Sequence, residues 1–240
     1  MNSLVSVIIP IYKQALTPYE EVSFQQCINI LAAYPIIIVK PDSLNLEHLQ
    51  RYHSAIRYQS FEDQYFKNIE GYNHLLTSPH FYEAFSNYQY ILIYQLDAFV
   101  FRDDLKKWCE KGYDYIGAPN YIPAVSRQED SFLKRMRLNG GLSLRKVSSC
   151  KRLLSLYRSV YGQWPGNEDM LFSLNSNRLI IFSWLMKLPK WKIALAFAIE
   201  QFPAACMELN QKRLPFGCHA WERYDIDFWR PYFKQYGHSI

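Results

Sequence analysis

A chain of 240 residues, 49% hydrophobic and 20% charged, is long enough for one substantial core and too apolar to be disordered. Twenty-seven Lys and Arg against 22 Asp and Glu leave a net charge of +5, which is compatible with an anionic ligand but too mild and too dispersed to single out nucleic acid. The 19 Tyr, 15 Phe and 6 Trp make the chain aromatic, as a core or a sugar-stacking surface would require. Its five cysteines, Cys27, Cys109, Cys150, Cys206 and Cys218, form no C-x-x-C pair. Neither a zinc site nor a disulfide framework is therefore indicated, and a reducing cytoplasm is the expected setting. The opening "MNSLVSVIIPIYKQ" has no basic region before its apolar run and reads as a strand rather than a signal peptide. No apolar run approaches the roughly 20 residues that span a bilayer.

In chain order, the β-branched run Leu4–Tyr12 predicts a first strand. Thr17, Pro18 and Glu20 then read as N-cap, first helical residue and capping-box partner. Phe24, Cys27, Ile28 and Leu31 continue as an amphipathic stripe. Pro35–Lys40 is the next strand, so the unit is β-α-β with parallel strands and a right-handed crossover. A strand near Ala55–Gln59 and helical pieces over Tyr65–Leu76 and Phe81–Phe85 follow. "YILIY" (Tyr90–Tyr94) lacks polar alternation and predicts a strand buried on both faces. Asp103 caps a helix carrying Leu105, Trp108 and Cys109 and ending at Gly112. Tyr113–Pro119 reads as a strand, Asn120–Leu138 as a polar, basic loop or exposed helix, and Ser148–Tyr161 as a helix. The whole, residues 1–240, reads as a single α/β domain with a mostly parallel central sheet flanked by helices.

Within "YILIYQLDAFVF", Gln95 and Asp97 interrupt an otherwise apolar run. A carboxylate in such a place needs a partner. In open α/β sheets ligands bind at the carboxyl ends of the strands, where this pair falls. Two residues apart, Gln95 and Asp97 would share one side of an extended chain. Oxygen donors there suit a hard divalent cation, Mg²⁺ or Mn²⁺; a turn cap or an arginine pairing would account for Asp97 as well. In "LNGGLSLR", Gly140 and Gly141 allow close backbone approach to a ligand beside Asn139, or simply make a turn. The segment is neither a Walker loop nor a dinucleotide fingerprint. "NEDMLF" sets Glu168 and Asp169 at the opening of a helix, where acids are also favoured by the helix dipole.

The segments "VIIPIYKQALTPYEEVSFQQC", "GYNHLLTSPHFYEAF", "YILIYQLDAFVF", "WCEKGYDYIGAP", "NGGLSLRK", "NEDMLF" and "FGCHAWERYD" together resemble a bacterial domain family of unassigned function grouped with the GT-A type nucleotide-sugar glycosyltransferases. The resemblance covers nearly the whole chain apart from roughly Ser176–Lys192. It implies a GT-A-like fold and transfer of a sugar from a nucleotide-diphosphate donor to a hydroxyl of a glycan or glycolipid. Gln95-Leu96-Asp97 takes the place of the D-x-D motif, with Gln95 replacing its first acid. Asp97 and the late His219 are implied as ligands of a divalent cation, Mn²⁺ or Mg²⁺. Pro10, Tyr12, Lys13 and Asn73 are implied along the donor, and Asn139, Gly140, Gly141 and Trp221 along the sugar or acceptor. Asp169, or its neighbour Glu168, is implied as the base if the transfer inverts, with a retaining transfer left open.

Two further readings complete the expectations. The Gln95 replacement keeps open a non-catalytic nucleotide-sugar or glycan-binding module of the same fold. A nucleotidyltransferase lacks its Gly-rich loop near the first strand. The segment Asn177–Phe197 mixes large apolar residues with Arg178, Lys187, Lys190 and Lys192 and holds no acid. It reads as a core helix and strand with exposed lysines, or as an interfacial element that would meet anionic lipid at the inner face of the membrane. The expected partners are thus a nucleotide-sugar and a glycan or lipid-linked glycan, with polysaccharide or lipopolysaccharide biosynthesis as the setting.

Overall fold

The β-branched runs of the sequence become the middle of one six-stranded sheet. The computed structural model describes residues 3–120, 136–174 and 177–240. Along the chain it forms β1 (Ser3–Pro10), α1 (Pro18–Leu31), β2 (Ile36–Pro41), β3 (Arg57–Phe61), α2 (Ile69–Leu76), α3 (Pro79–Ala84) and β4 (Tyr88–Tyr94). There follow β5 (Ala98–Val100), α4 (Leu105–Glu110), β6 (Tyr115–Pro119), β7 (Leu138–Lys146), α5 (Val147–Tyr161) and α6 (Glu168–Phe172). The last elements are α7 (Trp191–Phe197), β8 (Ala198–Ile199), α8 (Pro203–Leu209), β9 (Gly217–His219) and α9 (Ile226–Lys234).

The large sheet has the order β3-β2-β1-β4-β7-β6. Its first four strands are mutually parallel, whereas β7 runs antiparallel to both β4 and β6. The sheet is therefore mixed, with β7 as its reversed strand. Register explains why β1 and β4 lack polar alternation. Ile8 lies opposite Ile37 and Ile93, while Val7 lies opposite Ile36 and Leu92. Successive residues enter cores on opposite faces, each built from about two dozen or more buried side chains.

The capping box is present at α1: Glu20 N–H donates to Thr17 Oγ1 at 3.3 Å, and Thr17 N–H donates to Glu20 Oε2 at 2.8 Å. Several boundaries shift. The third strand begins at Arg57 rather than Ala55, and the helical pieces expected over Tyr65–Leu76 are a short 3-10 turn, Asp63–Phe66, and α2. Gly140 and Gly141 lie inside β7 rather than in a turn. Asn177–Phe197 forms a 3-10 helix, Asn177–Leu185, and then α7, with no strand before Ala198. The expectation for Asn120–Leu138 lies mostly outside the described residues.

A second, three-stranded sheet, β5-β9-β8, is the feature that builds the site. Ala98 of β5 is the register partner of His219 of β9. An aromatic cluster backs this small sheet: the Phe99 and Phe233 rings stack at 4.0 Å, and Trp221 and Trp229 are fully buried. Residues more than a hundred positions apart are thereby locked side by side.

Candidate functional site

Parallel neighbours β1 and β4 end together, so the chain leaving each of them opens onto one edge of the sheet. There a cleft of ≈ 550 Å³ lies among Pro10, Tyr12, Lys13, Asn73, Gln95, Asp97, Asn139, Gly140, Gly141, Glu168, Asp169 and His219. Its size is in the range of small-molecule sites. A hollow of ≈ 310 Å³ beside Trp164 and His74 gathers no comparable set of acids and cations.

Gln95 and Asp97 reach this cleft from a turn, not from an extended chain as their spacing implied. Tyr94 ends the strand, and Ala98 N–H donates back to Gln95 O at 2.9 Å. The turn is fastened to β7 by Gln95 N–H, which donates to Gly141 O at 2.8 Å. Pairing of Ala98 with His219 then brings the imidazole in. His219 Nε2 stands 3.0 Å from Asp97 Oδ1 and 3.3 Å from Gln95 Oε1. Past His219 the backbone turns through Ala220 at φ +49°, a left-handed conformation costing a non-glycine residue about 1–2 kcal/mol.

Gly141 is needed for closeness rather than for a turn. A Cβ on it would lie 1.9 Å from His219 Nε2 and 2.6 Å from Gln95 Oε1. Gly140 does the same for the neighbouring position, where a Cβ would meet Glu168 Oε1 at 2.0 Å. The glycine pair is thus the floor on which both ends of the cleft rest.

Behind His219 stands Glu200, buried, with Oε1 at 3.6 Å from the imidazole Nδ1. Asn139 Nδ2 donates to that same Glu200 oxygen at 3.0 Å, and Asn139 Oδ1 accepts from Gly141 N–H at 2.7 Å. Asn139 accordingly holds Glu200 and the glycine floor, rather than offering a free amide to a sugar. Burial alone would pull the His219 imidazole down, but Asp97 and Glu200 together push it up to about 10. Burial works against the charge on Asp97 too, and the imidazole overcomes it, holding the carboxyl below its ordinary range. Asp97 Oδ1 nonetheless has no aligned hydrogen bond among the described residues.

The other end of the cleft is organised by two arginines. Arg145, fully buried, donates to Glu168 Oε1 at 2.7 Å, Gly140 O at 3.1 Å, Tyr82 Oη at 3.1 Å and Ser143 Oγ at 2.9 Å. Arg137 Nε lies 2.8 Å from Asp169 Oδ2. Asn73, expected along the donor, faces the cleft, but its Oδ1 accepts Glu168 N–H at 2.9 Å and so fixes the start of α6 across 95 residues. Glu168 is fully engaged, whereas Asp169 Oδ1 is buried without a hydrogen-bond partner. Burial and the adjacent Glu168 push the Asp169 carboxyl up to about 6, against the opposing pull of Arg137.

Tyr12 is 61% exposed at the rim and Lys13 pairs with Glu20 at 2.7 Å. Trp221 corrects its expected role. It is wholly buried between Tyr19 and Phe233 and absent from the cleft lining, so no sugar can stack on it. Arg137, Arg145, Tyr72, Glu200 and Glu222 are site or supporting residues that sequence reasoning missed. For Glu200 a signal existed: it ends the apolar run "ALAFAI" just as Asp97 interrupts "YILIYQL", and it is the first acid after Asp169.

A divalent cation was expected here. No group of three or more His, Cys, Asp or Glu able to hold a metal occurs among the described residues. Asp97 Oδ1, His219 Nε2 and the Gln95 amide oxygen nevertheless fit one. Here the imidazole is held 3.0 Å from Asp97 and 3.3 Å from Gln95 and its proton is favoured, so a cation bound by these three would have to displace that proton. The missing Gly141 side chain is what lets His219 and Gln95 come this close.

Comparison with known proteins supports the fold. No curated protein matches this chain. A solved structure of galactosyltransferase LgtC in complex with donor and acceptor sugar analogs superposes with a TM-score of 0.58 at 13% identity, covering 96% of this chain and 94% of that one. Apo-form glycosyltransferase GlyE of Streptococcus pneumoniae TIGR4 matches with a TM-score of 0.53 at 11% identity, over 96% of this chain. This chain spans 60% of the GlyE chain and 46% of the bifunctional glycosyltransferase WbbM, which it matches with a TM-score of 0.50 at 13% identity. At these identities the likeness establishes the fold, the GT-A arrangement of a mixed α/β sheet flanked by helices. A family model matches residues 55–219, from just before β3 to His219 at the end of β9, and leaves β1, α1 and β2 outside. By that match the chain belongs to the family described as protein of unknown function (DUF5672).

Proposed function

We propose that this chain is a glycosyltransferase that moves a sugar from a nucleoside-diphosphate donor to a hydroxyl of a glycan or glycolipid. One observation carries the reading. The ion pair of Asp97 with His219 and the buried Asp169, whose Oδ1 has no hydrogen-bond partner, line the same cleft at the carboxyl ends of parallel strands.

In this reading the nucleoside lies along Pro10, Tyr12 and Lys13, with the exposed Tyr12 ring available to the base. The diphosphate sits at Gln95, Asp97 and His219, and the sugar rests on the Gly140–Gly141 floor. Asp97 and His219, with Gln95 completing the set, would hold Mn²⁺ or Mg²⁺, which supplies charge neutralisation for the departing diphosphate. Asp169 takes the acceptor hydroxyl's proton as that oxygen bonds to the anomeric carbon. The carbon–phosphate oxygen bond breaks, and the diphosphate leaves with its electron pair. A base facing the departing group would invert the anomeric centre. Glu168 is less suited to this role, since Arg145 already occupies its carboxylate.

Gln95 in place of an acid favours a second reading, in which a nucleotide-sugar or glycan is bound but not transferred. Thermal shift with UDP, GDP, CDP and their sugars, with and without Mn²⁺ or Mg²⁺, on wild type and Asp97→Asn, tests the donor site. Release of nucleoside diphosphate in the presence of acceptor glycans tests transfer. A nucleotide-specific shift that depends on Asp97, together with diphosphate release, is the expected outcome. A shift without release favours the binding module. No shift with any nucleotide removes the donor reading.

A further inference from the structure

Away from the cleft, the surface least like that of an ordinary globular protein lies on α5 and the 3-10 helix Asn177–Leu185. Helix α5 buries Leu153, Leu154 and Tyr157 and leaves Leu156, Val160 and Tyr161 facing outward. The 3-10 helix packs on it through Phe182, whose ring is 5.9 Å from Tyr157 and 6.3 Å from Tyr161. Arg152 Nη2 also donates to Leu185 O at 2.9 Å. With Phe182 turned inward, Ile181 and Trp184, three residues apart and so on one side of a 3-10 helix, point out. They are 56% and 77% exposed, with Ile180 exposed beside them. The Tyr161–Phe182 contact joins the two apolar rows.

Cations outnumber acids along this part of the chain, although Glu83 of α3 pairs with Lys151 of α5 and Asp114 with Lys146. Between Lys146 and Ile199 the chain carries eight Lys and Arg, and its only two acids, Glu168 and Asp169, are buried in the cleft. An apolar ridge on a segment with an excess of cations complements a layer whose interior is apolar and whose surface is anionic. A second copy of the chain is a poorer match. A two-fold contact sets each patch against itself, cation against cation. No described helix is long and apolar enough to cross a membrane.

We propose that this face docks on the surface of a lipid bilayer bearing anionic headgroups. Ile180, Ile181 and Trp184 enter the headgroup boundary, while Arg158, Lys190 and their neighbours meet the phosphates. The docking needs no catalysis and stands apart from the donor reading.

The test is co-sedimentation of the full chain with phosphatidylcholine vesicles, with and without phosphatidylglycerol. Wild type is expected to partition to the phosphatidylglycerol vesicles. Trp184 emission, taken as the difference from Trp184→Phe, should shift to the blue. The exposed double variant Ile181→Glu/Trp184→Glu should keep its melting temperature and bind at least about tenfold more weakly. Arg158→Glu/Lys190→Glu should weaken binding about as much and flatten its salt dependence. Wild type that ignores anionic vesicles, or a double glutamate variant that binds as well as wild type, overturns the proposal. A dimer seen by light scattering and dissolved by that same variant also overturns it, by assigning the patch to a second copy.

Discussion

Two carboxylate–cation pairs stand on the same pair of glycines, and they are built to opposite standards. At one end of the cleft, Arg145 and Glu168 are buried and saturated: the guanidinium reaches four oxygens, and the carboxylate accepts both from Arg145 and from Asp169 N–H. At the other end, Asp97 and His219 sit 3.0 Å apart, yet Asp97 Oδ1 and His219 Nδ1 both lack an aligned hydrogen bond. A saturated pair specifies structure, because nothing is left over for a ligand. An unsaturated one has capacity to spare, and buried polar atoms rarely go unpaired without cause. Asp169 lies between these cases, with one oxygen on Arg137 and the other free.

The contrast can be broken most sharply at Asp169. Asp169→Asn should lower kcat by about 10²–10⁴-fold with donor binding retained, as expected for loss of a general base. Diphosphate release alongside thermal shift measures both quantities. Removing burial-penalised charge should also steady the fold. The Asp169 carboxyl rises to about 6 from an ordinary 3.8, so the native state binds its proton more tightly than the unfolded chain does. Its contribution is complete below pH 3.8 and is lost as pH rises through about 6. A melting temperature for Asp169→Asn at pH 7.5 no higher than wild type would show that Arg137 outweighs the burial.

Glu168→Ala is the structural counterpart. It strands a buried guanidinium and should cost about 3–5 kcal/mol of stability, read from urea denaturation. A cost below about 1 kcal/mol would mean that the pair is not the scaffold its geometry implies. Asp97→Asn should show the reverse profile. We expect kcat/KM to fall by about 10²–10³-fold, as when one charge-stabilising group is removed. The loss of stability should be smaller than for Glu168→Ala, because Glu200 remains 3.6 Å from His219 to balance its charge.

The smallest effect is expected at Arg137. A transfer rate that needs ionised Asp169 climbs as pH passes through about 6. Arg137→Ala removes the cation that favours ionisation, so this acidic limb should move to higher pH while the plateau stays near wild type. A pH profile of kcat/KM unchanged in the variant would separate Asp169 from the proton transfer.

Local chemistry alone made much of this protein legible. The capping box at Thr17, the amphipathic stripe after it and the unalternating apolar runs of β1 and β4 announce an α/β sheet, because caps and periodicity act over a few residues. The same is true of Gln95 and Asp97: a carboxylate inside an apolar run is conspicuous wherever the chain goes. Tertiary structure decided the rest. The apolar run before Glu200 marks a carboxylate in need of a partner, but only the fold says that the partner is His219, and nothing near Arg137 says that it holds Asp169. Trp221 looked like a sugar platform because an aromatic residue beside a ligand histidine reads identically whether it faces a cleft or a core. The glycine pair was open to two readings, close approach or a turn; here the glycines lie within a strand, and their missing side chains make room for residues that arrive from β9 and α6. The sequence by itself determined which chemistry the chain possesses, through short-range propensity and burial cost. Only the fold, by pairing Ala98 with His219 and setting β7 antiparallel against β4, determined which of those groups share a cleft.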